Sequence, residues 1–169
     1  MTRGVEDLML AAIVICIALA NCLDCSADAQ QRSREPDAIT LTRALVAEAD
    51  GNAADYAPIL AVMQYHADRV GSAPARIVRA YSRLYRARGM LPRIRVILAM
   101  PGVMPENRRA QWAASSAVVA RWLAGDHSNA CAATPHHFGD AEGDEARAIG
   151  AGSLRVDCGA TRNLFWRLR

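Results

Sequence analysis

The chain contains no lysine: all 20 of its basic residues are arginine, set against 17 acids for a formal net charge of +3. Every positive charge is therefore a permanent planar fork, suited to anionic partners. A long hydrophobic run is also missing. The one uninterrupted apolar stretch, residues 8–20 (LMLAAIVICIALA), spans 13 residues. A membrane helix needs about 20, so a polytopic membrane protein is excluded. No internal repeat is visible. Charged residues make up 22% of the chain, near the globular average, which excludes wholesale disorder. A length of 169 residues suits one domain with a short appendage and allows a substantial core.

The apolar stretch fits the h-region of a signal peptide, and Ala27-Asp28-Ala29 follows it as an A-x-A cleavage pattern. Two other readings stay open. Leu19-Ala20-Asn21-Cys22 resembles a lipobox, with Asn21 where a small residue is usual, and the stretch could serve as an uncleaved N-terminal anchor. All three place the domain outside the cytoplasm, in the periplasm or cell envelope. The expected organisation is a signal peptide over residues 1–29, a polar linker over 30–37 and one domain over 38–169. Loss of residues 1–29 raises the net charge to about +6.

Of the five cysteines, Cys16, Cys22 and Cys25 fall in the export segment, leaving Cys131 and Cys158. A lone pair in an exported domain reads as one disulfide. Its loop of about 28 residues corresponds to about 3.6 kcal/mol of chain entropy. A metal site built from His127, Cys131, His136, His137 and Cys158 is the competing reading, together with free thiols. Beyond residue 29 no C-x-x-C or H-x-x-x-H pair supports a metal, and none is expected.

Four helices are expected. The first follows Pro36-Asp37, carries Leu41, Leu45 and Glu48 on one face, and stops at Gly51-Asn52. The second spans about 53–70, with Tyr56, Ile59, Leu60, Met63, Ala67 and Val70 inward and Gly71 closing it. A third begins near Pro74, with Ile77, Tyr81 and Leu84 inward and Arg76, Arg79, Arg83 and Arg86 opposite. Residues 89–105 read as irregular, with residues 94–100 ambiguous between strand and helix. The fourth helix follows Pro105 on a stripe of Trp112, Ser116, Val119 and Leu123, ending at Gly125. Short strands are expected near His137-Phe138 and over residues 163–166. The fold class is mainly α (α+β): a helical domain with a small C-terminal β or loop region stapled by the disulfide.

Glu48 is the informative residue. Polar positions on its helix are taken by Arg43 and Asp50, yet Glu48 lies on the leucine stripe. A desolvated carboxyl has a raised pKa. A general acid for glycosidic cleavage needs that property, because it must be protonated near neutral pH and then act as a base. An edge position, paired with an arginine or reaching to solvent, is the structural alternative.

Ala47-Glu48-Ala49-Asp50-Gly51, then Ala61-Val62 and Asp68-Arg69-Val70, resemble the opening of the cell-wall hydrolase family typified by spore-cortex-lytic enzymes. Ala132-Ala133-Thr134-Pro135-His136-His137-Phe138 resembles that family's Ala-Thr-x-x-Phe segment, and residues 159–166 (GATRNLFW) its closing Gly-x-x-x-Phe-Tyr. Asn52 stands where the family has a second Glu, and Asp68 where it has Asn. The resemblance runs from about residue 40 to the C-terminus. It implies a lysozyme-like helical domain that cleaves peptidoglycan glycan strands as a lytic transglycosylase, without a cofactor. By residue it implies Glu48 as acid/base and His137, Phe138, Asn163 and Phe165 as sugar contacts.

Ten arginines and one acid, Glu106, lie from position 69 to 109. Arg76, Arg79, Arg83 and Arg86 form either a solvated face or an attraction for an anionic envelope surface. Nucleic acid is not expected, since only Tyr81 and Tyr85 interleave the stripe. The expected partner is peptidoglycan and the expected state a monomer. Two rivals remain: a non-catalytic envelope protein binding glycan or membrane through the arginine face, favoured by Asn52, and a metal-dependent hydrolase using His127, His136 and His137.

Overall fold

The N-terminal helix of the domain, α1 (Asp37–Glu48), is buried on almost every side. In the computed structural model, which describes residues 35–86, 91–139 and 152–169, its Leu41, Ala44, Leu45 and Val46 are fully buried. Thr42 is buried beside them, its Oγ1 donating to the Ala38 carbonyl at 2.7 Å. A helix apolar or internally satisfied on most of its faces must sit in the middle of its domain.

The other helices surround it. They are α2 (Tyr56–Arg69), α3 (Pro74–Tyr81), α4 (Arg83–Arg86), α5 (Pro92–Ala99) and α6 (Arg109–Leu123). Helix α1 packs against α2, α3, α5 and α6, and α2 packs against α3 and α6. Strands β1 (His137–Gly139), β2 (Leu154–Val156) and β3 (Leu164–Arg167) form an antiparallel sheet in the order β1-β3-β2. Phe138 pairs with Phe165, which also pairs with Val156. The sheet meets the helices where β1 touches α2. Residues 36–169 form one compact unit. The export-segment expectation, residues 1–29, and the linker up to residue 34 lie outside the described residues. No described helix is long and apolar enough to cross a membrane.

The Cys131–Cys158 disulfide is formed, across a sequence separation of 27. Beside it the Ala132 amide donates to the Asp157 carbonyl at 2.8 Å. Together they fix the segment preceding β3 to the segment preceding β1. Replacing both cysteines by serine is expected to cost about 3 kcal/mol in a denaturant titration. A loss below about 1 kcal/mol would show that packing alone holds the sheet.

The structure corrects several expectations. Val70 is 66% exposed, because the chain turns at Ala67–Ser72 and leaves it outside the packed face. The 89–105 region contains a helix, α5, started by Pro92 in the first turn, where its missing N–H costs nothing. The buried stripe of α6 is Ser115, Val119 and Trp122, rotated from the expected one. Ser115 tolerates this because its Oγ donates to the Gln111 carbonyl at 2.8 Å. Leu123, at the helix end, is 50% exposed. The third expected helix breaks at Ser82, whose ψ of 138° is extended. That break divides the arginine stripe. Arg79 is half-buried, donating to Asp37 at 2.9 Å and to Thr40 at 3.0 Å. Arg83 turns toward a cleft instead of standing opposite it, and Tyr81 is 70% exposed rather than core.

Candidate active site

Helix α1 ends at Glu48, and two successive left-handed residues fold the chain back. Asp50 has φ 44° and Gly51 φ 88°. Aspartate tolerates that region, and glycine enters it without steric cost. Asn52 then caps a 3-10 turn, Ala53–Asp55, accepting from the Ala54 amide at 3.3 Å. This tight turn leaves Glu48 at the wall of a cleft of about 550 Å³. Val62, Met63 and His66 of α2 line it, with Tyr81, Ser82 and Arg83 from the α3–α4 junction. Arg93, His137, Phe138, Arg162 and Asn163 complete its rim.

Asp55 holds the cleft's far wall to α1. It is fully buried. Its carboxylate accepts from the Arg162 amide at 3.0 Å, the Asn163 amide at 3.2 Å and Asn163 Nδ2 at 3.2 Å. The same Nδ2 donates to the Glu48 carbonyl at 3.2 Å. Burial pushes the Asp55 carboxyl up, and the bonds from Asn163 and Arg162 pull it back. Asn52 ties the same loop, its Nδ2 donating to the Ala160 carbonyl at 3.4 Å. The residue at the second-Glu position therefore caps a turn and anchors a loop.

The Glu48 carboxyl is held above its ordinary range, chiefly by burial. Its position in the last turn of α1, at the negative end of the helix dipole, acts in the same direction. The Ser82 hydroxyl, donating to Oε1 at 3.5 Å, and the Arg83 and Arg93 guanidinium groups oppose the rise. Ser82→Ala is thus expected to move the Glu48 titration to higher pH, read by NMR of the side-chain carboxyl. A shift to lower pH would contradict this balance.

The other acid lining the described cleft, Asp50, is differently placed. Half-exposed, it accepts from Arg162 Nη1 at 2.7 Å and from Arg93 Nη2 at 3.4 Å. It clasps the two sides of the rim together. On the opposite wall, His66 Nε2 donates to the His136 carbonyl at 2.8 Å. His136 stacks on Tyr65 at 3.8 Å between ring centres, and its Nδ1 accepts from the Leu168 amide at 2.9 Å. Burial, then the neighbouring His66 and His136 rings, pushes the His137 imidazole below its ordinary range. A neutral His137 can donate or accept at the cleft.

Of the residues expected at the site, the cleft gathers Glu48, His137, Phe138 and Asn163. Phe165 is not among them. It is 1% exposed on the middle strand and belongs to the hydrophobic core, not to the cleft lining. His127 stands apart, stacked on Trp122 with its Nε2 donating to the Trp122 carbonyl at 3.1 Å. Among the described residues no three metal-binding side chains converge. Sequence reasoning missed His66, Ser82, Arg93 and Arg162, and misplaced Tyr81 and Arg83. Ser82 offered one signal: serine is a favoured residue before a new helical turn, and its Oγ accepts from the Leu84 amide at 3.1 Å.

No protein-family model, curated protein or solved structure matches the chain.

Proposed function

We propose that this is an exported enzyme of lysozyme-like fold that cleaves the glycan strand of peptidoglycan with Glu48 as its single acid/base. The observation that carries the reading is a half-buried glutamate with a raised pKa in the wall of a cleft bordered by hydrogen-bonding and aromatic side chains. Protonated Glu48 gives its proton to the glycosidic oxygen as the bond to the muramyl anomeric carbon breaks. The carboxylate so formed takes the proton of the same sugar's 6-hydroxyl. That oxygen closes on the anomeric carbon, giving a 1,6-anhydro end and restoring protonated Glu48. Two-carboxylate glycosidases need a second free acid across the bond. Asp50 is engaged by two arginines, which favours the one-acid route.

The pH profile tests the assignment. Glu48 must be protonated in the free enzyme, so kcat/KM is expected to fall as pH rises through its raised pKa. The limb should lie above the usual carboxylate range. Clearing of a purified peptidoglycan suspension, followed across pH, measures it. No clearing at any pH, or a limb at an ordinary glutamate pKa, would contradict the proposal.

A further inference from the structure

Helix α5 buries one side and leaves the other bare. Ile97 is buried, and Ile94 and Leu98 pack against the core beside it. The face turned away carries Leu91 at the N-cap, then Arg95, Val96 and Ala99, all exposed and one helical turn apart. The Val103 amide donates to the Ala99 carbonyl at 3.0 Å, which extends the row past the helix end. Leu91, Val96 and Val103 are three of the eight large apolar side chains exposed among the described residues, so the row is an apolar patch rather than scattered exposure. Its surroundings carry charge of one sign. Arg83 of α4 and Arg93 of α5 line the same cleft, so the two helices meet at its mouth. Arg86 of α4 and Arg95 of α5 are exposed and lie outside the cleft lining, and neither side chain forms a hydrogen bond or ion pair among the described residues. The only acid from residue 69 to residue 125 is Glu106, which Arg109 engages at 2.8 Å.

We propose that the outer face of α5, with Arg86 beside it, docks the protein on an anionic lipid bilayer: Leu91, Val96 and Val103 enter the headgroup layer, and Arg86 and Arg95 pair with lipid phosphates. The mixture of residues decides the partner. Arginines alone attract any polyanion, but a dissolved polyanion offers the apolar side chains no refuge from water. The chain's own apolar residues 8–20 could cover those side chains, yet that run carries no charge to match the arginines. A bilayer with acidic headgroups supplies both, apolar depth beside negative charge. The guanidinium fork meets phosphate oxygens in two-point geometry. Because Arg93 of the same helix stands on the cleft rim, docking holds the mouth of the cleft next to the bilayer. The surface lies outside the cleft and does not depend on the reaction assigned to Glu48.

The test is partitioning of the full chain onto sedimented vesicles, of phosphatidylcholine alone or of equal parts phosphatidylcholine and phosphatidylglycerol. Residues 8–20 favour either bilayer, so the readout is the ratio of the two partition coefficients. The wild type is expected to prefer the anionic vesicles, and added salt to weaken that preference. Arg86→Gln and Arg95→Gln should each lower the ratio about fivefold, the effect of one basic residue at a charged surface. Neither arginine has a side-chain partner to lose, so both variants keep the fold. Leu91→Ser should lower the ratio as well, since serine suits the N-cap and keeps the helix while the apolar anchor is lost. Hydroxyl-radical labelling locates the contact: Leu91, Val96 and Val103 should be labelled in the free protein and protected on the anionic vesicles. Equal partitioning, a preference that survives the combined Arg86→Gln and Arg95→Gln changes, or side chains that stay labelled on anionic vesicles would overturn the docking surface. Equal protection by soluble polyphosphate would overturn it in favour of a polyanion site. Protection already present in the free protein would overturn it too, because residues 8–20 or a second copy would then cover the row.

Discussion

Replacing Glu48 by glutamine is expected to reduce glycan-strand cleavage by about 10²–10⁴-fold, the range that a positioned acid/base supplies. The substitution keeps the size and shape of the side chain, and the amide can neither donate the proton nor take one from the 6-hydroxyl. The same change is expected to stabilise the fold at neutral pH. A carboxyl whose folded pKa is raised binds its proton more tightly in the native state than in the unfolded chain. Stability is thus lost as pH rises from the ordinary glutamate pKa through the raised one, and glutamine removes that loss. Melting curves should show the variant more stable than wild type near pH 7, with the difference vanishing in acid. A variant with lost activity and lower stability at every pH would point to a structural role. Full activity would remove Glu48 from the chemistry.

The second large effect falls on Asp55, which no substrate needs to touch. Asp55→Ala would strand three donors in the interior: the Arg162 amide, the Asn163 amide and the Asn163 side-chain amide. Each stranded buried donor costs on the order of 1–3 kcal/mol, so a total of about 3 kcal/mol or more is expected from urea unfolding. Cleavage should fall as well, because Asn163 would lose the partner that holds it against the Glu48 main chain. Asp55→Asn keeps one acceptor oxygen and should lie between. A change below about 1 kcal/mol for Asp55→Ala would mean that the Cys131–Cys158 bridge alone fixes this loop.

Legibility in the sequence followed the range of the interactions involved. Helices α1 and α2 could be read because their faces repeat with helical period and their ends carry Gly51, Asn52 and Gly71. Glu48 could be read because a carboxylate on a leucine stripe contradicts its surroundings. The disulfide could be read because only two of the five cysteines, Cys131 and Cys158, lie beyond the N-terminal apolar segment. The break at Ser82 could not, since Ala80-Tyr81-Ser82-Arg83 contains neither glycine nor proline, and the extended residue is secured by contacts to Leu84 and Glu48. Helix α5 was ambiguous because Ile94, Val96 and Ile97 are β-branched and suit a strand equally well. Strand β2 is three residues long, too short for any period. Phe165 is placed at the cleft by its position in a motif, and only the tertiary packing buries its side chain in the core. The clasp of Arg93 and Arg162 on Asp50 joins residues more than forty positions apart, beyond any local pattern.

The most direct test of the central claim is mass spectrometry of the material that the protein releases from purified peptidoglycan. A single acid/base working through the sugar's own 6-hydroxyl predicts disaccharide–peptide fragments ending in 1,6-anhydro-muramyl residues, absent from a parallel digest with Glu48→Gln. Reducing ends would contradict the one-carboxylate mechanism. Peptide fragments with intact glycan chains, or no released fragments, would contradict the assignment of this cleft to glycan-strand cleavage.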